Sequence, residues 1–437
     1  MFHVPKELKA LKIMHGNVNW KIQKERRKFL NQVYFLIGNW KGPFPNLRHI
    51  FSTEEIESLL IESLKNLKAE ILIEFLINTG YEDEPVHDAR GKPQLRRTTP
   101  LHYAAKRETR YNVINELFKI YNKFDVNYTD ETGLSHFHVA CMTGCEYAVE
   151  KFLEFGIDPN FRSNSKSPLQ IALSEKHQHI VRLLIKRGAD PNSADADGLT
   201  HLHIICKEPG NYDLARIFFE ICDEVNKTVP VNAQDKFGNT PLLFALQFMG
   251  YQEQEMTKML LRRGANLNLV NKNGLMTFHI ICQKEWAYTL VKFIDNHHPP
   301  LQVNARDQFG NTPLHIALNH HCTKLARLLL KRGADPNLTN AKGLTALQII
   351  CTKNCDSYDV MKLFEINKKA KRPIQVNKQD SFGNTALHFA LHQRNNKMVV
   401  RLLLEKGANP NLANAEGSTA LHYRSTPETV RVGLRFS

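Results

Sequence analysis

A short phrase recurs along this chain, and its period limits the fold more than any other feature. Asn127, Asn160, Asn192, Asn232, Asn268, Asn304, Asn337, Asn377 and Asn411 each close a "-PN", "-VN" or "-LN" phrase. Their successive spacings are 33, 32, 40, 36, 36, 33, 40 and 34 residues. Six residues beyond nearly every one stands a glycine: Gly133, Gly198, Gly238, Gly274, Gly310, Gly343, Gly383 and Gly417. Only the loop after Asn160 departs, being one residue shorter with Ser165 in that slot. Self-similarity at this period specifies a solenoid, in which each unit packs mainly on its neighbours.

Residues 307–337, "DQFGNTPLHIALNHHCTKLARLLLKRGADPN", show how one unit is built. Thr312 can cap a helix whose first turn accepts Pro313, because an N–H there has no partner to lose. A second helix follows, with Leu325, Leu328 and Leu329 giving an apolar face at three- and four-residue spacing. Lys331 and Arg332 suit its negative end and Gly333 its stop. "ADPNLTNAKG" then supplies turn chemistry through Pro, Asn and Gly.

These units resemble ankyrin repeats. The phrases that carry the resemblance are "TPLHYAA" (99–105), "TPLHIAL" (312–318), "TALHFAL" (385–391) and "KRGADPN" (186–192 and 331–337). It covers residues 97–424 and implies an all-α solenoid of stacked helix-turn-helix repeats with projecting β-hairpin-like fingers. It extends more faintly to 52–80, where "STEE" reads as a capping box and "AEILIEFLINTG" imitates a second helix ending at Gly80. The expected organisation is a basic helical N-terminal region (1–51), a degenerate capping repeat and loop (52–96), the repeat array (97–424) and an irregular tail (425–437). The array stops inside a unit, at "TALHYRSTPETVRVGLRFS" (419–437), which leaves room for a domain downstream.

A longer period lies above the unit. "DKFGNTPLLFAL", "DQFGNTPLHIAL" and "DSFGNTALHFAL" alternate with "GLTHLHIIC", "GLMTFHIIC" and "GLTALQIIC". One type carries Ala-Leu in its first helix and the other Ile-Cys, so large and small side chains can alternate at similar core volume.

The histidines and cysteines raise the question of a metal or catalytic site. His102, His138, His203, His279, His315, His388 and His422 share one slot of the repeat. A ligating or catalytic histidine has no reason to recur in every turn of a stack, whereas a structural one does. The resemblance implies that this imidazole supports hydrogen bonds tying the helix start to the finger. Gln170, Leu243 and Gln348 replace it with no compensation visible in sequence. Cys141, Cys206, Cys282 and Cys351 also share a slot, about two repeats apart. At roughly 10 Å per stacked helix pair they are too distant for disulfides, which need Cα atoms within about 7 Å. Cys141 with Cys145, and Cys351 with Cys355, could share a helix face, but a zinc site needs about four ligands. They read as buried small core residues. His320, His321 and Cys322, and "HHPP" at 297–300, are not repeated and read as loop residues.

No stretch approaches the roughly 18 to 20 apolar residues of a membrane helix, and the N-terminus has no apolar core of signal-peptide length. The eight cysteines do not form a disulfide-scaffold pattern in a chain of 437 residues. The expectation is an intracellular protein, cytoplasmic or nuclear. Net charge is +14, of which residues 1–50 hold ten Lys or Arg against Glu7 and Glu25. That bias suits an anionic surface or nucleic acid, but a solvated helix face is the favoured account, with Trp20, Ile22, Phe29, Leu30 and Val33 on the opposite side. There is no Walker loop, dinucleotide fingerprint, nucleophile elbow, HExxH or kinase set.

The reading is therefore a non-enzymatic scaffold with no cofactor, no metal, no small-molecule substrate and no membrane span, binding another protein through its fingers and concave face. Two alternatives stand beside it. One is nucleic-acid or chromatin association through the basic N-terminus, expected to be weak and sequence-independent. The other is a substrate adaptor for ubiquitin transfer without its C-terminal domain. Within the scaffold reading, Phe237, Phe309 and Phe382 each precede a finger glycine, where a large apolar side chain either folds onto the next finger or anchors a partner. Lys236, Arg306, Gln308 and Lys378 on the same fingers would form a basic, polar rim suited to an acidic partner.

Overall fold

The computed structural model of the chain describes residues 6–66, 68–107, 111–163, 166–247, 251–294, 301–352, 357–369, 372–392 and 397–422. Among them the secondary structure is helical, with twenty-two α-helices and a single 3-10 turn at Leu47–His49. The extended pairing among the described residues consists of isolated β-bridges in the loops, such as Ala194 with Thr200 and Val270 with Met276. The fold is an α solenoid. It divides into two compact units, Met1–Ile205 with Asp213–Pro230, and Cys206–Tyr212 with Val231–Ser437.

The first unit opens with α1 (Lys6–Gly16) and α2 (Gln23–Gly38). Helix pairs follow: α3 (Thr53–Leu64) with α4 (Ala69–Asn78), α5 (Pro100–Lys106) with α6 (Tyr111–Ile120), and α7 (His136–Thr143) with α8 (Glu146–Glu154). Next come α9 (Pro168–Ser174) with α10 (Gln178–Lys186), and α11 (His201–Lys207) with α12 (Tyr212–Glu224). Helix α3 starts as its sequence dictates: Glu55 N–H donates to Ser52 Oγ at 3.2 Å, and Ser52 N–H donates to the Glu55 carboxylate at 2.9 Å. In α10 the stripe Ile180, Val181, Leu184 and Ile185 is buried, and Gly188, just past the helix end, takes the left-handed backbone that ends it.

The degenerate pair α3–α4 is itself covered. Helix α2 packs against both, burying Phe29, Leu30, Val33 and Tyr34. The rings of His15, Trp20, Phe29 and Phe51 meet at centroid distances of 4.8–6.0 Å. Of the apolar residues expected on this face, Trp20 is half-buried and Ile22 is exposed. Where these helices meet the first full repeat, a charged cluster is largely shielded from solvent, with Asp83 buried and Arg97 and Glu57 half-buried. Arg97 bridges Glu57 at 2.7 Å and Asp83 at 2.9 Å, while the Tyr121 hydroxyl donates to Glu57 and the Tyr128 hydroxyl to Asp83. Burial holds the Glu57 carboxyl above its usual range despite the guanidinium.

The second unit contains α13 (Pro241–Ala245) with α14 (Tyr251–Arg262), α15 (Thr277–Ile281) with α16 (Ala287–Ile294), and α17 (Pro313–Asn319) with α18 (Thr323–Lys331). It continues with α19 (Ala346–Thr352) and α20 (Ser357–Lys369), then α21 (Ala386–His392) and α22 (Lys397–Glu405). First helices stack on first helices, α15 on α17, α17 on α19 and α19 on α21. Second helices do likewise, α16 on α18, α18 on α20 and α20 on α22. Leu325, Ala326, Leu329 and Leu330 form the buried face of α18, and the alternating pairs Ala317-Leu318 and Ile350-Cys351 lie in the core. Cys141, Cys206, Cys282 and Cys351 are free and buried, and burial pushes the thiols of Cys141, Cys206 and Cys282 far up, so they are unreactive packing residues. The expected loop "HHPP", the slot of Ser165, Cys355 and the tail 425–437 lie outside the described residues.

Candidate partner-binding fingers

The shared histidine slot shows how each finger is held. Thr312 N–H donates to His315 Nδ1 at 3.2 Å, and His315 Nε2 reaches the Leu344 carbonyl of the next finger at 3.0 Å. The Nδ1 lone pair is taken and Nε2 carries the proton that the carbonyl accepts, so the ring is neutral and has no lone pair left for a metal. His388 makes the same pair of bonds, from Thr385 N–H and to the Ser418 carbonyl. His279 reaches the Ala305 and Asn311 carbonyls, and His138 the Phe161 carbonyl. His102, His203 and His422 accept from Thr99, Thr200 and Thr419 N–H in turn. Burial lowers the pKa of His102 and His138 to about 4.

Two glutamines do the same work. Gln348 Oε1 accepts from Thr345 N–H at 2.7 Å, and its amide donates to the Lys378 and Asn384 carbonyls at 2.9 Å each. Gln170 accepts from Ser167 N–H and donates to Asp195. The compensation that the sequence did not show is thus in the residue itself, since an amide presents an acceptor and a donor about where the two ring nitrogens stand. Two further histidines escape sequence reading because they replace the proline of the "TPLH" phrase. His136 Nε2 lies 2.7 Å from Thr99 Oγ1 and His201 Nε2 lies 3.2 Å from Ser167 Oγ, each reaching back to the cap of the preceding repeat.

In the second unit the fingers are joined by a side-chain relay that follows the two-repeat period. Asp235 accepts from Phe237 N–H, Asn239 N–H and the Asn239 amide, and Asn239 Oδ1 then accepts from the Asn271 amide of the next finger at 2.8 Å. Asp307–Asn311–Asn340 repeats this relay. In the third copy Asp380 takes the backbone N–H groups of Phe382 and Asn384, and Asn384 takes the Asn414 amide. The backbone joins in: Lys272, Ala341 and Ala415 N–H each donate at 2.8 Å to the carbonyls of Phe237, Phe309 and Phe382. The glycine after each Phe permits this approach. Gly310 has φ +71°, and a Cβ there would sit 2.8 Å from Ala341 N.

With backbone and carboxylate fixed inward, the three rings point out. Phe237 is 53% exposed, Phe309 62% and Phe382 65%. Lys236 lies over the Phe237 ring with its ammonium 5.0 Å from the centroid. Arg306 and Gln308 are exposed on the second of these fingers. Lys378 is different: its Nζ donates to the Asn337 carbonyl at 3.1 Å, which turns the charge inward. Among the described residues no group of three or more His, Cys, Asp or Glu is arranged to hold a metal, and no helix is long and apolar enough to cross a membrane.

Comparison with known proteins places this architecture. The family model for ankyrin repeats in three copies matches residues 101–195 and 188–271, and that for ankyrin repeats in many copies matches 296–350 and 369–423. An ankyrin repeat protein of Acanthamoeba polyphaga mimivirus is 26% identical over 268 residues, covering 61% of this chain and 29% of that protein. An ankyrin repeat protein of fowlpox virus (strain NVSL) is 27% identical over 277 residues, with 58% and 55% covered. Human B-cell lymphoma 3 protein is 28% identical over 229 residues, with 52% and 48% covered. The chain spans about half the length of these relatives or less. By its matched repeats and its stack of helix pairs joined at fingers, the chain belongs to the ankyrin repeat family, whose arrays are protein–protein interaction modules.

Proposed function

We propose that the second unit is the partner-binding part of a non-enzymatic scaffold, and that Phe237, Phe309 and Phe382 anchor the partner. The observation that carries this reading is the exposure of three large rings at equivalent finger tips, each above half of its surface. Their backbone groups are committed to the fold while more than half of each side chain faces solvent, so a partner can reach the rings without moving the fingers. Truncating an aromatic anchor typically costs 2 kcal/mol or more of binding. Converting all three to Ser should weaken a partner captured from cells tenfold or more, with the melting temperature nearly unchanged. A triple variant that loses stability and keeps its partner would assign the rings to the fold.

A second reading has its own observation. Lys9, Lys12, Lys21, Lys24, Arg27 and Lys28 on and between α1 and α2 are exposed, and Phe35 beside them is 78% exposed. This surface supports a weak, salt-dependent contact with nucleic acid. Retention on DNA resin as a function of salt tests it.

A further inference from the structure

We propose that the finger row of the second unit receives an extended, acidic segment of a protein partner whose bulky apolar side chains are about six residues apart. The proposal deepens the finger reading above and rests on it.

The residue before the finger glycine alternates in kind along this unit: Phe237, Asn273, Phe309, Lys342, Phe382 and Glu416. A ring on every second finger therefore alternates with a polar or charged tip, and Lys272 and Lys342 are exposed on the fingers between the rings. Neighbouring fingers touch through backbone hydrogen bonds, including Ser381 N–H to the Lys342 carbonyl at 3.2 Å. Successive rings are thus two repeats apart, or about 20 Å at roughly 10 Å per stacked helix pair.

That distance selects the conformation of the segment. An extended chain advances about 3.3 Å per residue, so about six residues span two rings. Six is an even number, and alternate residues of a strand share a face, so every anchor points at the fingers. A helix would need about fourteen residues at 1.5 Å each for the same advance, and each anchor would then sit about 40° further round than the last. By the third ring a straight helix has turned its anchor about 80° off the row, whereas the extended segment keeps all three on one face.

Charge selects the composition. Lys236, Arg306, Lys272 and Lys342 are exposed on these fingers. The carboxylates of Asp235, Asp307 and Asp380 are turned inward onto backbone N–H groups. A segment with Asp or Glu between its anchors meets this cationic surface, and a basic one is repelled.

The test uses the full chain and fluorescent synthetic peptides of one composition, three Leu in a Glu-rich background, with the Leu placed every six, every four or every nine residues. The six-residue peptide should bind at least tenfold more tightly than its isomers. Lys272→Glu with Lys342→Glu should weaken it about tenfold at an unchanged melting temperature. Equal binding of the isomers, no effect of the lysine variants, or displacement of the peptide by single-stranded DNA of equal charge would overturn the proposal. If Phe237→Ser, Phe309→Ser and Phe382→Ser together release a captured cellular partner while the isomers bind alike, the anchors stand and the register falls. If that variant keeps its partner as well, both readings fall.

Discussion

The joint at residues 57–128 and the joints between fingers at 235–414 solve the same problem by opposite means. Both must satisfy polar groups that stacking removes from water. The first uses one guanidinium between a buried carboxylate, Asp83, and a half-buried one, Glu57, with two tyrosine hydroxyls completing their shells. The second uses a relay of one carboxylate and two amides, copied three times. The ionic joint depends on a single residue, because each carboxylate needs Arg97 to be tolerable in its site. The relay spreads its dependence over modest bonds of about 1 kcal/mol each. A duplicated array can lose one such bond and still stand, whereas the unrepeated joint has no second copy.

The sharpest way to break this contrast is Arg97→Met. It leaves the buried Asp83 and the half-buried Glu57 without a cation and should cost about 3–5 kcal/mol in urea unfolding. A loss below about 1 kcal/mol would show that the two carboxylates are satisfied without the ion pair. The next effect compares two glycines of the second unit. Gly310→Ala meets both a left-handed backbone and the Ala341 amide, while Gly407→Ala, at φ +87°, meets no atom within 4 Å. The first should cost about 2–3 kcal/mol and the second about 1 kcal/mol, since backbone strain alone is worth 1–3. Equal losses would mean that finger contact contributes little.

The histidine slot sharpens the comparison through pH. Burial depresses His102 and His138 of the slot to about 4 in the folded chain, and His201 at the proline position likewise, against about 6.5 when unfolded. The unfolded chain therefore binds protons first, so this stability is complete above pH 6.5 and is lost as pH falls towards 4. The His315 pKa is lowered in the same direction. His315→Ala should cost about 1 kcal/mol at neutral pH, and His315→Gln less, because Gln348 already makes both bonds. The Gln variant should also be less sensitive to acid than wild type, as unfolding midpoints at two pH values will show. The smallest expected effect is at the N-terminus. Deleting residues 1–50 would uncover α3 and α4, so charge reversal is the cleaner probe. Lys9→Glu, Lys12→Glu and Lys24→Glu together should flatten the salt dependence of DNA retention, and unchanged retention would remove the nucleic-acid reading.

How much of this the sequence showed depends on whether a feature repeats. The period of Asn and Gly, the proline after four of the caps and the leucine stripes are written several times over, and they sufficed for the fold. The tip position of Phe309 was legible for the same reason, because it recurs at Phe237 and Phe382. The relay was half visible: "D-x-F-G-N" plainly alternates with "N-x-x-G-L", but that Asn311 receives the Asn340 amide depends on the spacing between fingers, which no single phrase contains. Arg97 was not legible at all. Its partners lie 40 and 14 positions away in unrepeated sequence, so no periodicity pointed to them. The inward turn of Lys378 escaped for a simpler reason: a long side chain on an exposed loop can reach a carbonyl as easily as water.

The relay also has a consequence for how such an array can change length. Asn239 offers its carbonyl oxygen to the next finger, and the slot that meets it holds the amide of Asn271. Remove one repeat from the middle of a pair and the slot is filled by Asp307 instead. An acceptor then faces a carboxylate, two oxygens with no hydrogen between them. Remove two repeats and Asn340 arrives in place of Asn271, with the amide restored. Insertions obey the same parity. Growth and loss in this part of the chain are thus favoured in pairs, because a deletion of odd count sets two acceptors against each other at the new junction.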